Sequence, residues 1–291
     1  MSKVKAITHV VSPGEVLTRI SQRYGVTVDA IVKANNLPNR NMLRVGQRLL
    51  IPVLGTQPAP APVTPLPKPL PGTPFTYKTW RPVIGGKTVT VRAVKMPRAR
   101  IQAEVLYPPR YGTRETVQTM AKRWGADVAI NASFFAYENN LPNGRHIRDR
   151  ERVPENPAGR PAIILDNWTL DASADPWHVL IKHGVRNCFS TYPTLVVDGK
   201  VNISTHGAGL ALATVRTILA WNDTEVAVIV SSNLTLRQSA DLVMSLGQVL
   251  GMQVKTAINC DGGGSSTLWF NGKLLFGGGR AVPNALAFKA L

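Results

Sequence analysis

The chain has 291 residues, of which 44% are hydrophobic and 18% charged; these proportions suit a folded globular protein and exclude a largely disordered one. Lys and Arg together number 34 against 17 for Asp and Glu, a formal charge of +17 at pH 7. A field of that sign favours polyanions, whether nucleic acid, anionic lipid or phosphate-rich wall polymer, and does not choose among them.

The predicted elements begin near the N-terminus. Residues 7–11 form a short β-rich run, and residues 49–51 form another, ended by Pro52. Between them lie two helical patterns. Ser12, Pro13, Gly14 and Glu15 have capping-box spacing with proline at the first helical position, and Val16, Leu17, Ile20 and Tyr24 follow on one face. Thr27 can cap a second helix whose buried stripe is Val28, Ile31 and Val32. The result is a β-α-α-β unit over residues 1–53.

Residues 54–77 read as a linker, with Pro58, Pro60, Pro62, Pro65, Pro67, Pro69, Pro71 and Pro74 falling almost every second position. An extended polyproline spacer rises ~3.1 Å per residue, so it can hold two domains up to roughly 50 Å apart. Such a tether raises the effective concentration of one domain at whatever the other has bound.

Residues 78–291 alternate strand-like and helix-like patterns, so the expected class is α+β: a small βααβ module, a Pro-rich linker and a larger mixed α/β domain. Residues 89–94 and 101–106 are β-rich. Thr113 opens a predicted helix carrying Val117, Met120, Ala121 and Trp124 on one face, stopped by Gly125. A buried strand then ends in Ala129-Ile130-Asn131. The same order recurs later. Thr235 and Gln238 have capping-box spacing, a helix follows until Gly251, and a strand ends in Ala257-Ile258-Asn259. The repeated tripeptide reads either as a pseudo-repeat setting two asparagines at comparable strand ends, or as coincidence. Asp198-Gly199 and Asn271-Gly272 are hairpin turns.

The second Asn runs into Asp261, Gly262, Gly263, Gly264, Ser265 and Ser266. Consecutive glycines let backbone approach a ligand and aim N–H groups at an anion. No Gly-Lys-Ser/Thr follows, which excludes a P-loop. The alternative is a glycine turn capped by its own aspartate. No run approaches the ~20 apolar residues of a membrane span. Cys188 and Cys260 make neither a disulfide framework nor a ligand cluster, and free buried thiols are expected ahead of a pair. The histidines lack ligand spacing, so no cofactor or metal is expected, while a divalent cation such as calcium or magnesium held by Asp261 and Asn131 stays open. The basic N-terminus lacks the apolar run of a signal peptide, which points to phage-encoded or non-classical export if the target is a cell wall.

Residues 10–17, Ile20-Ser21, Tyr24-Gly25-Val26, Ile31, 34–37 and 45–52 resemble the LysM family. That resemblance implies binding of N-acetylglucosamine-containing chains such as peptidoglycan, in a groove between Ser12-Pro13-Gly14 and Asn36-Leu37-Pro38. Residues 131–135, Arg216-Thr217, 259–266, 195–200 and 280–286 resemble the phosphodiester glycosidases, the family of the lysosomal uncovering enzyme. That implies hydrolysis of the bond between an amino sugar's anomeric carbon and a phosphodiester, here in an anionic sugar-phosphate polymer of a wall or cell surface. On this reading Asp261 is the acid/base group or faces the anomeric carbon. Arg216 holds phosphate through its planar fork, aided by Gly262, Gly263 and Gly264. Asn131 meets the sugar, Phe134 or Phe135 packs beneath it while the other is core, and Thr217, Ser265, Ser266 and Arg280 line the substrate. Ile218-Leu219-Ala220 departs from the family's small residues after Arg-Thr. The Glu-x-x-Gly of the uncovering enzyme is also missing, which leaves the second carboxylate to Asp149 or Glu138. A non-catalytic glycan-binding, virion or lysis-associated protein is the alternative. Nucleic-acid binding rests on charge alone and is not expected.

Overall fold

A computed structural model describes residues 5–11, 17, 20, 28–37, 43, 46–53, 74–173, 176–203, 212–277 and 279–291. The capping box at 12–15, Pro38 and the prolines of residues 54–73 lie outside the described residues.

At the N-terminus, Lys5–Val10 and Arg48–Val53 pair antiparallel, with Ile7 opposite Ile51 and His9 opposite Leu49. Val11, Leu17, Ile20, Ile31, Leu49 and Ile51 form a small buried cluster. The helix Val28–Ala34 supplies Ile31, and the turn after it closes at Asn36, whose φ of 48° is the left-handed closure that Asn tolerates better than most residues. A residue absent from the predicted site ties the unit together. Asn35 donates through Nδ2 to the carbonyls of Ile31 (2.8 Å) and Leu50 (2.6 Å), and its Oδ1 accepts from Leu50 N–H (2.6 Å). It locks helix to strand where the core is too small to do so alone. Asn35→Ala is expected to cost about 2 kcal/mol and to lower retention of the full chain on insoluble peptidoglycan severalfold. Undiminished retention would contradict that role.

The larger domain is a stack of two antiparallel sheets with helices outside both. The first sheet runs in spatial order Lys200–Val201, Thr194–Val197, Thr256–Asn259, Thr214–Trp221, Glu225–Leu234, Val91–Pro97 and Thr76–Trp80. The second runs Lys273–Phe276, Leu268–Phe270, Val128–Asn131, Ala285–Ala290 and Ile101–Leu106. Alternation along the strands explains the layering, because successive side chains point to opposite faces. Val94, Met96, Leu219, Val228, Val230 and Ile258 of the first sheet meet Val105, Val128, Ile130, Leu286 and Phe288 of the second in one core. Ala93, Ile218, Ala220, Ala227, Ile229 and Ala257 face outward beneath the helices Leu236–Met244 and Leu246–Leu250. Ala129, Ala285 and Ala287 face the helix Val117–Trp124. The central strands of both sheets are therefore covered on both faces, which is why they read as unbroken apolar runs, whereas the edge strands Thr76–Trp80 and Lys273–Phe276 carry exposed residues.

A third sheet, Glu151–Arg152, Ile147–Arg148, Cys188–Ser190, Ala162–Ile164 and Thr169–Asp171, adds Ile163 and Phe189 to the central core. Cys188 and Cys260 are both free and buried.

The helix expected to open at Thr113 starts later, at Val117. Thr116 caps it by accepting from Thr119 N–H, while Glu115–Thr116 bridges to Ala281–Val282. The turn closed by Thr113 Oγ1 on the Arg110 carbonyl uses up the earlier hydroxyl. The Thr235–Gln238 capping box forms as read. The Thr76–Trp80 strand begins inside the expected linker, and Phe75 already packs in the core, so the folded unit starts before residue 78.

Candidate functional site

The two Ala-Ile-Asn tripeptides lie in different sheets, at strand ends that meet. Asn131 closes its strand in the second sheet and Asn259 closes its own in the first. Asp261 N–H donates to the Ala132 carbonyl (3.0 Å), joining the two ends. Asn131 is fully buried and links them again: its Nδ2 donates to the Asp261 carbonyl (2.6 Å), while its Oδ1 accepts from Thr217 Oγ1 (2.9 Å) and Thr267 N–H (3.0 Å). Its side chain is thus turned into the protein, where the sequence reading had it facing a sugar or a cation. Asn259 is buried beside it and donates to the carbonyls of Tyr192 and Cys260.

From this junction the 261–266 loop emerges. The Asp261 carboxylate accepts from Gly262 N–H (2.9 Å) and from the Ser265 hydroxyl. Burial outweighs these donors and the nearby Arg280 guanidinium, and pushes the carboxyl up to about 6. The three glycines have separate reasons. A Cβ on Gly262 would come within 2.9 Å of the Val215 carbonyl, and Gly263 has φ of +59°. A Cβ on Gly264 would lie 2.7 Å from the Arg280 guanidinium, so that arginine lies against bare backbone.

The remaining predicted residues divide between scaffold and rim. Ser265, Ser266 and Thr217 are buried, and Ser266 Oγ reaches the Val215 carbonyl at 3.4 Å. Arg216 is only 1% exposed; its Nε donates to the Leu234 carbonyl (2.9 Å) and its Nη2 to that of Leu212 (2.7 Å). Part of its fork is therefore committed to backbone, and the exposed arginine beside the loop is Arg280. Asp149 is also placed elsewhere. It sits at the tip of the Ile147–Arg148 and Glu151–Arg152 hairpin at φ 51°, with its side chain 66% exposed and facing Arg148 and Arg186. It belongs to the rim of the third sheet. Glu138 is exposed, and the charge acting on Asp261 is that of Arg280. Among the described residues, no three His, Cys, Asp or Glu side chains gather as a metal cluster.

Phe134 and Phe135, adjacent in sequence, join different groups. Phe134 lies 4.7 Å from the Tyr192 ring, beneath Arg160. Phe135 packs 4.9 Å from Tyr137, under Arg114, and the Tyr137 hydroxyl accepts from Arg280 Nη1 at 3.1 Å. Sequence reasoning missed Arg160, Tyr192, Tyr137 and Arg114. None falls in a periodic or glycine-rich motif, and only the fold assembles them.

In the N-terminal unit, Asn36 is exposed and Leu37 packs partly against the small core.

Fold and loop together define a two-sheet sandwich, covered by helices, that presents one desolvated carboxylate and an arginine where its sheets meet. The sequence profile of the phosphodiester glycosidases matches residues 125–289, more than half of the chain, and the protein belongs to that family. The LysM profile matches residues 9–52. Among curated protein sequences, none matches the chain. Solved structures sharing the fold include the following two. One is the catalytic domain of zebrafish N-acetylglucosamine-1-phosphodiester alpha-N-acetylglucosaminidase, auto-inhibited by its pro-peptide: TM-score 0.57, 17% identity, over 73% of this chain and 82% of that one. The other is a hypothetical protein from Synechocystis with TM-score 0.57 and 15% identity. The match covers 74% of this chain, which spans 62% of the Synechocystis chain.

Proposed function

We propose that the protein hydrolyses the glycosidic bond of an amino-sugar 1-phosphodiester in an anionic wall or surface polymer, and that its LysM unit holds it on peptidoglycan. The observation that carries this reading is desolvated Asp261 with the Arg280 guanidinium nearby, lying against glycine backbone. An arginine can hold the phosphate, and the N–H groups of Gly263 and Gly264 lie on the same loop to assist it. The departing phosphomonoester is weakly basic, so the leaving oxygen needs little protonation. The demand falls on the positive charge developing at the anomeric carbon.

One ionised carboxylate serves that demand. Asp261 faces the anomeric centre as carboxylate, stabilises the oxocarbenium-like sugar and takes a proton from the attacking water. Water adds to the anomeric carbon while the carbon–oxygen bond to phosphate breaks, and the phosphomonoester leaves with the electron pair. A second carboxylate is not required by this chemistry, which accommodates the position of Asp149 on another sheet. Asn131, Thr217 and Ser265 act as positioning residues: they fix the strand ends and the carboxylate.

The test is incubation with N-acetylglucosamine 1-phosphodiesters that carry different alcohols. Free N-acetylglucosamine is the expected product, and no release from any of them would overturn the catalytic reading in favour of a glycan-gripping role.

A further inference from the structure

The Arg160 guanidinium lies 3.3 Å from the Tyr192 ring centroid and 5.6 Å from that of Phe134. Its Nη1 is buried and has no hydrogen-bond partner among the described residues. A guanidinium N–H withdrawn from water without an acceptor is costly, and charge-assisted bonds to oxyanions are what relieve such a group. Burial lowers the Arg160 pKa, and the Tyr192 phenol acts in the opposite direction, with no carboxylate among these influences. It is a cation seated on aromatic rings, with no carboxylate partner among the described residues.

Its position ties it to the site. Tyr192 offers its carbonyl to Asn259 Nδ2 at 3.1 Å, and Asn259 is two residues before Asp261. Phe134 follows Ala132 by two residues, and the Ala132 carbonyl accepts from Asp261 N–H. Both rings therefore hang from the strand ends that carry the loop. Arg280 acts on Asp261, whereas Arg160 is not among the charges that do, so the two arginines serve separate places.

We propose that Arg160, supported by Tyr192 and Phe134, binds a second oxyanion of the same ligand chain, apart from the phosphodiester held at Arg280. This deepens the functional reading above and rests on it for the identity of the ligand. It makes the site one for a polymer with repeated negative charge, in preference to a single glycosyl phosphodiester. The recognised chemistry is phosphate or carboxylate. Tyr192 presents one flat face to the arginine, and Nη1 is the guanidinium nitrogen left to meet an oxyanion.

The experiment measures binding without turnover, by isothermal titration of the full-length Asp261→Asn protein. Three probes are used: the methyl phosphodiester of N-acetylglucosamine 1-phosphate, a two-repeat oligomer of that unit with two phosphodiesters, and a two-sugar analogue with a carboxylate in place of the second phosphate. The two-phosphate oligomer should bind about tenfold tighter than the single unit, as one additional charge-assisted contact implies. Adding Arg160→Gln should bring that ratio close to one, and Arg160→Lys should restore part of it. If the carboxylate analogue keeps the preference, the subsite is a general oxyanion site; if not, it is one for phosphate. An unchanged ratio in Arg160→Gln, or no binding of either phosphate probe, overturns the proposal. Failure of the hydrolytic reading shows separately, as tight Arg160-dependent binding to a wild-type protein that never releases sugar.

Discussion

Replacing Asp261 by Asn is expected to lower the rate of sugar release by roughly a thousandfold while making the folded protein more stable at neutral pH. Asn retains an oxygen for Gly262 N–H and for the Ser265 hydroxyl, so the loop can keep its shape. It lacks the charge that the proposed mechanism places at the anomeric centre. The stability argument follows from burial. The folded carboxyl titrates at about 6 against an ordinary 3.8, so between those values the native protein holds a proton that the unfolded chain has released. Stability linked to this group is full below the ordinary value and is lost as pH rises through about 6. At neutral pH the ionised group thus costs up to about 3 kcal/mol, which the neutral amide avoids. Activity should follow the ionised form: kcat/KM falls tenfold per pH unit below about 6. A thermal melt beside a pH–rate profile checks both parts. A less stable variant would contradict the desolvation argument, and one that keeps near-normal turnover would remove Asp261 from the chemistry.

The second large effect is expected at Asn131. Asn131→Ala deletes one donor and one acceptor from a site where the Thr217 hydroxyl, the Thr267 N–H and the Asp261 carbonyl all depend on them. Leaving such groups unpaired in a buried place costs about 1 to 3 kcal/mol each, softened by relaxation, for a total of about 2 to 4 kcal/mol. In a domain of this size the melting temperature should drop by roughly 5 to 12 °C. Because the bond to the Asp261 carbonyl spans both sheets, activity measured well below the melt should also fall, by about a hundredfold, with kcat affected more than KM. A residue that contacted the sugar directly would instead raise KM. The two variants make opposite stability predictions at neighbouring residues, which guards against a general loss of folding.

What was legible in the sequence is mostly what is locally encoded. The Thr235–Gln238 capping box, the Asp198-Gly199 and Asn271-Gly272 turns with positive φ at both positions, and the glycine stops at Gly125 and Gly251 are each specified within a few residues. The twin Ala-Ile-Asn endings were visible too, but the sheets they belong to were not. Buried strands of a covered antiparallel sandwich carry the same apolar runs as strands of a parallel α/β sheet, so periodicity cannot separate them. Side-chain direction was the second blind spot. Arg216 and Asn131 occupy the expected motif positions, yet the structure turns them inward to carbonyls and hydroxyls contributed by distant segments. Arg160, between Gly159 and Pro161, gains its interest only when the fold lays it over Tyr192.

The most direct measurement of the central claim is the destination of solvent oxygen. Hydrolysis of an N-acetylglucosamine 1-phosphodiester in heavy-oxygen water, followed by mass spectrometry of both products, reports which bond breaks. Attack at the anomeric carbon beside Asp261 places the label in the free sugar and none in the phosphomonoester. Label in the phosphate would mean cleavage at phosphorus and would contradict the account.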